Sequence, residues 1–167
     1  VEDDDSVPNE WNEGEDDQDI EKIKVKYYDL ALRKWVTESI VTYDGKTTVT
    51  KTGNTAEMDP EPPAKVEIRG SRLSKTTVKF KCKIRVTNEG EVAGHVGEIS
   101  DYIPKRLKFI QADNPKWKEV NGKVVTDQLK DTLLQPGDSA EVEIILTWVN
   151  SEENLGCLLY TSDAADE

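Results

Sequence analysis

A chain of 167 residues, 34% charged and 35% apolar, has room for one domain of ordinary size with a modest core, and no apolar run reaches membrane-spanning length. Its net charge of −12 belongs to its ends: residues 1–21 hold 11 Asp/Glu and residues 157–167 hold three, with no Lys or Arg in either, leaving 20 acids against 22 bases between them. The body is therefore close to neutral, and without a basic cluster interleaved with aromatics it lacks the footprint of a nucleic-acid-binding surface.

The chain opens on Val1, as expected of a piece of a longer polypeptide, so the lack of a leader carries no weight. Residues 1–21 (VEDDDSVPNEWNEGEDDQDIE) have no apolar periodicity and read as an acidic inter-repeat linker. From Lys22 the pattern changes to that of strands. Ile23, Val25 and Tyr27 alternate with lysines, and Leu30, Leu32, Lys34 and Val36 then share one face. A second strand at 40–43 meets Asp44-Gly45 and is followed by the Thr/Val-rich run 46–51. Asp-Gly between two β-rich runs predicts a hairpin, because a type I′ turn needs positive φ at both central residues.

Residues 58–63 (MDPEPP) form a Pro-rich break that closes an N-terminal segment, 22–64. A short strand is expected at 65–69. The clearest strand is 77–87, where Val78, Phe80, Cys82, Ile84 and Val86 alternate with Lys79, Lys81, Lys83 and Arg85, the signature of a sheet with one buried and one wet face. Asn88-Glu89-Gly90 turns the chain. Strand-like text follows at 96–103 and 107–110, on either side of Pro104. Residues 117–120 and 123–126 surround Asn121-Gly122, a second hairpin signal. Gln135-Pro136-Gly137-Asp138 is a turn, and Val142, Ile144, Leu146 and Trp148 alternate on a last long strand. No amphipathic helix is evident. Many short strands at regular spacing predict an all-β, antiparallel β-sandwich over residues 65–156.

The final eleven residues, CLLYTSDAADE at 157–167, are similar to one reading frame of the transposase mosaic-end adapter used in sequencing libraries. They are expected to be an artefact rather than native coding sequence, so Cys157 enters no disulfide or metal argument. With two cysteines in all, a disulfide scaffold is not expected, and Cys82 reads as a small core residue.

VKFKCKIRVTNEGEVAGHVGEISDYIPKRLKFI, beginning at Val78, resembles the repeat module of bacterial cell-surface proteins known as domain of unknown function 11. The resemblance rests on the alternating strand and on Thr87-Asn88-Glu89-Gly90, followed by Ala93. It continues through Asp101-Tyr102-Ile103-Pro104 with Leu107, and through Leu134-Gln135-Pro136-Gly137-Asp138 opening the last strand; together these cover about residues 66–150. Cys82 departs from the pattern where an aromatic is common, and Arg106 where Gly is common. YDLALRKWVT, from Tyr28, is similar to a segment of clostridial wall and pilin-like proteins. The resemblance implies an immunoglobulin-like, extracellular, wall-anchored module of a Gram-positive surface protein, repeated in tandem, with neighbouring repeats as partners. It also implies that the domain is truncated before its last native strand, after Gly156.

Lys34 is the sharpest chemical candidate, since period two puts it on a face that should be apolar, and a buried ammonium is costly unless paired or neutralised. In proteins of the kind resembled, such a lysine forms an isopeptide bond with an Asn on a late strand, helped by a nearby carboxyl. Asp101 and Glu98 are the candidate acids; the alternative is a lysine snorkelling from an edge strand. Glu15, Asp16, Asp17 and Asp19 form an acidic run able to hold calcium, although without EF-hand spacing a solvated linker is the simpler reading. Trp117, beside the Asn-Gly hairpin, is a candidate exposed platform for a glycan, whereas Trp148 reads as core.

His95 is the only histidine and has no second His to build a zinc set with. Ser71, Ser74, Ser100 and Ser139 lack a nucleophile-elbow context, and no Gly-rich phosphate loop is present, so no catalytic residues are assigned. A non-catalytic structural or adhesive repeat is the first expectation. A carbohydrate- or protein-binding module, with a glycan or host ligand, and an accessory domain of a secreted enzyme are the alternatives.

Overall fold

A computed structural model describes residues 26–149. The acidic stretch 1–21, including Glu15, Asp16, Asp17 and Asp19, and the segment 157–167 lie outside the described residues. Strict alternation along β3 (Thr76–Asn88) builds the centre of the fold: Val78, Phe80, Cys82, Ile84 and Val86 are all buried, while the intervening Lys and Arg point outward.

Antiparallel ladders join β3 to β1 (Leu30–Tyr43) on one side and to β10 (Ser139–Trp148) on the other. β2 (Lys46–Lys51) adds to β1 and β6 (Leu107–Phe109) adds to β10, giving a five-stranded sheet in the order β2-β1-β3-β10-β6. A three-stranded sheet, β5 (Ile99–Tyr102), β8 (Lys123–Thr126) and β7 (Lys118–Val120), is ordered β5-β8-β7, and β4 (Gly94–His95) pairs with β9 (Leu133–Leu134). The core between the layers takes Val36, Val142, Ile144, Leu146 and Trp148 from the large sheet and Ile99, Val124 and Trp117 from opposite it. The chain is thus an all-β, antiparallel β-sandwich. β1 and β2, which precede the 65–156 stretch, are built into the same sheet as β3 and β10.

Both hairpin signals produce hairpins. Asp44 and Gly45 have φ of 50° and 72°, and Asn121 and Gly122 have 51° and 79°. The two strands expected within 30–43 are one strand. A bulge between Val36 and Glu38 inserts Thr37, after which Ser39 and Val41 face β3's Phe80 and Val78. The inward set moves from even to odd numbers there, which is why the text reads as two strands. Residues 65–69, expected as a strand, join no ladder among the described residues: Ala64 and Val66 are buried, Lys65 and Glu67 exposed, and a six-residue 3-10 turn, Gly70–Lys75, follows. Alternation reports a buried face, which a lone extended segment provides as well as a paired strand.

Arg106 does not adopt positive φ. The turn closes instead through the Leu107 N–H on the Pro104 carbonyl at 3.0 Å.

Candidate functional site

Lys34 lies on the inward face of β1, opposite Ile84 of β3. Its Nζ donates to Asp101 Oδ2 at 2.5 Å, with the two side chains 10% and 23% exposed. The pair bridges the large sheet to β5 of the small one. Alternation along β5 selects this acid over the other candidate: Ile99 and Asp101 turn inward, whereas Glu98 and Ser100 are exposed. Asp101 Oδ1 also accepts the Tyr102 N–H at 3.0 Å, which fixes the carboxylate. Lys34 therefore does not snorkel to water; it spends its charge on a partner inside the sandwich.

Cys82 is fully buried on β3, opposite Val36. Burial pushes its thiol from 9.0 up to about 11, and the charges of Lys34, Glu61 and Asp101 all act on it, with Lys34 opposing the shift. Glu61 was not legible in the sequence as part of this cluster. It sits in the Pro-rich break, where no periodicity assigns a face, yet its Oε1 accepts the Val36 N–H at 2.8 Å and the Asn54 amide at 2.9 Å. The 52–61 segment thereby caps β1 beyond the end of β2, and Thr52 completes the cap by donating its N–H to the Thr37 carbonyl.

One corner beside Lys34 is open. Leu32 belongs to the same inward face but is 58% exposed, because no described strand lies over it. β5 pairs with β8 along one edge only among the described residues. The described asparagines are placed elsewhere: Asn88 donates to the Val92 and Leu134 carbonyls, Asn114 to those of Ile110 and Ile145, and Asn54 to Glu61 and Pro62, while Asn121 is exposed in its hairpin turn. Among the described residues no carboxamide is hydrogen-bonded to Lys34.

Trp117 is corrected from an exposed platform to a core residue. It is 1% exposed and its Nε1 donates to the Glu143 carbonyl at 2.8 Å. Its large apolar ring is drawn into the core, and the indole N–H finds a partner on the free edge of β10. It lines a groove of about 580 Å³ with Lys81, Lys83, Asn114, Glu141 and Glu143, but at 1% exposure it offers no open ring face for a sugar. Trp35, on the outward face of β1, is also buried, beneath Arg85 at 5.4 Å from the ring centre. His95 is exposed, and its carbonyl accepts the Tyr28 hydroxyl. Among the described residues no group of three or more His, Cys, Asp or Glu is placed to hold a metal, and no helix is long and apolar enough to cross a membrane.

No family model, no curated protein and no solved structure matches the chain.

Proposed function

We propose that this chain is a non-catalytic structural and adhesive repeat of a bacterial cell-surface protein, immunoglobulin-like and wall-anchored, stabilised by an intramolecular isopeptide bond at Lys34. The observation that carries the reading is the Lys34–Asp101 contact between the two sheets, at the corner where Leu32 is uncovered. A further strand along the free edge of β5 would cover Leu32 and bring a carboxamide against Lys34 Nζ. The amine then attacks the carboxamide carbon and the C–N bond to the amide nitrogen breaks. Asp101 takes the proton from the amine and returns it to the departing nitrogen, which leaves as ammonia. Such a bond ties the first strand of the sandwich to a late one, so that pulling on the ends loads a covalent link rather than a hydrogen-bonded ladder. That suits a stalk module exposed outside the cell.

The test begins at the source locus, resequenced across Gly156 with a transposase-free library, followed by intact mass of the domain carried by its genomic continuation. The expected result is a mass one ammonia below the sequence value, restored to the full value by Lys34→Met and by Asp101→Asn. A wild-type domain of full mass overturns the isopeptide bond. A locus that encodes CLLYTSDAADE and stops overturns the repeat reading.

A further inference from the structure

The outer face of the large sheet and the two ends of the sandwich carry their charges differently. Across the middle of the large sheet's outer face, cations and anions neutralise one another: Lys81 lies 3.3 Å from Glu38 and 3.8 Å from Glu143, Lys83 lies 3.6 Å from Glu141, and Arg85 bridges Glu141 and Glu57. The two ends are not balanced in this way. Where β1 ends and β3 begins, Lys46, Arg69, Arg72, Lys75, Lys105 and Arg106 are all exposed and none is paired with a carboxylate among the described residues, so they outnumber the exposed acids Asp44 and Glu67 at that end. Their common location follows from register. Lys46 and Thr76 both stand opposite Tyr43, Arg72 stacks on the Tyr43 ring at 4.7 Å, and the Arg106 carbonyl accepts the N–H of Val149, just past the end of β10.

At the opposite end, Asp29, Glu89 and Asp138 are exposed and held together by their backbones: the Glu89 N–H donates to the Asp29 carbonyl and the Asn88 N–H to that of Asp138, both at 2.9 Å. The ends are separated by the 13 residues of β3, about 40 Å at roughly 3.3 Å per residue. That is several times the screening length of about 8–10 Å at physiological salt, so each end acts as an independent patch.

We infer that the basic end docks the acidic end of a second copy of this chain, head to tail. Charge complementarity selects this occupant, since every copy carries exposed cations at one end and exposed carboxylates at the other. The stretch 1–21, with 11 acids and no base, lies N-terminal to Asp29 in the sequence. Because the two patches are different surfaces, the contact is heterologous and extends into chains rather than closing as a dimer. The inference rests on the repeat reading only for the source of the second copy; the charged ends are independent of it.

The test is sedimentation of the full 167-residue chain across concentration, at about 0.05 M and about 0.5 M salt. The expected result is open-ended, concentration-dependent association at low salt that disappears at high salt. Lys75→Glu with Lys105→Glu, and separately Asp29→Lys with Glu89→Lys, should each weaken it about tenfold, an effect of the size expected for several exposed charges acting together. An equimolar mixture of the two variants should associate again, since each now carries the patch that fits the other. Wild-type chain that stays monomeric at low salt overturns the inference, as do salt-insensitive association and variants that associate like wild type. Binding of polyglutamate without self-association also overturns it and makes the basic end a site for anionic polymers. A source locus without tandem copies sinks the repeat reading and leaves the sedimentation result standing.

Discussion

The side-chain amide of Asn114 closes on both backbone groups of Ile145: its Oδ1 accepts the Ile145 N–H at 2.7 Å and its Nδ2 donates to the Ile145 carbonyl at 2.8 Å. A single side chain thus does for β10 what a neighbouring strand would do, just beyond the reach of β6, whose ladder stops at Leu146. With the Trp117 indole on Glu143, it blunts an edge that would otherwise offer unpaired backbone to another chain. The same Nδ2 also donates to the Ile110 carbonyl, which ties the loop to the strand.

Asn114→Ala should therefore lower stability by about 2 kcal/mol, the cost of leaving several partly buried backbone groups unsatisfied. Asn114→Asp should cost more, because it sets a carboxylate oxygen against two carbonyl oxygens. Urea midpoints at unchanged m-value would check the order; equal losses would mean that only packing at Asn114 matters.

Removing one member of the Lys34–Asp101 pair leaves the other uncompensated. Lys34 is the more buried of the two, so Asp101→Ala, which orphans it, should cost about 3 kcal/mol and Lys34→Met less. Lys34→Met with Asp101→Leu should be more stable than Asp101→Ala alone, since two apolar groups suit the site better than one unpaired charge. Chemical denaturation of the four chains tests this, and a double variant less stable than Asp101→Ala would refute it.

Gly90 has no room for a side chain. A Cβ there would lie 2.5 Å from the Tyr27 carbonyl oxygen, 2.6 Å from the Asp29 nitrogen and 2.9 Å from the Tyr28 Cα, all backbone atoms that cannot rotate away. Gly90→Ala should lose about 2 kcal/mol. Gly97→Ala, where nothing lies within 4 Å of the added carbon, is the matched control and should be nearly neutral. Thermal melts distinguish the two.

Between pH 9 and about 11 an unfolded chain gives up the Cys82 proton while the folded chain keeps it. The stability associated with this thiol is thus complete below pH 9 and is lost as pH rises toward about 11. Cys82→Ala should be less stable near neutrality, because it opens a cavity, yet show a flatter alkaline slope than wild type. In a Cys157→Ser background, which leaves Cys82 as the sole thiol, a maleimide should react only on unfolding. Fast labelling of the native chain would contradict the burial.

Alternation and turn chemistry made much of this fold legible before any coordinates. The inward faces of β3 and β10 follow from period two, and both hairpins follow from Asp44-Gly45 and Asn121-Gly122, because these properties are local to a few consecutive residues. Lys34's inward direction was legible for the same reason. Its partner was not: period two favours Asp101 over Glu98 only once the strand and its phase are known, and both acids lie more than sixty residues away along the chain.

The sequence by itself determined the class of fold, the faces of its strong strands and the anomaly of a lysine on an apolar face, since each depends on neighbours within one turn or one strand. Tertiary structure alone decided that Lys34 meets Asp101, that Glu61 caps β1, that Trp117 is buried and that Lys46, Arg72 and Arg106, far apart in sequence, come to one end. Those outcomes depend on which distant segments become neighbours when the core closes. Register, the bulge at Thr37 and the packing of one sheet on the other make that choice, and no local periodicity encodes it.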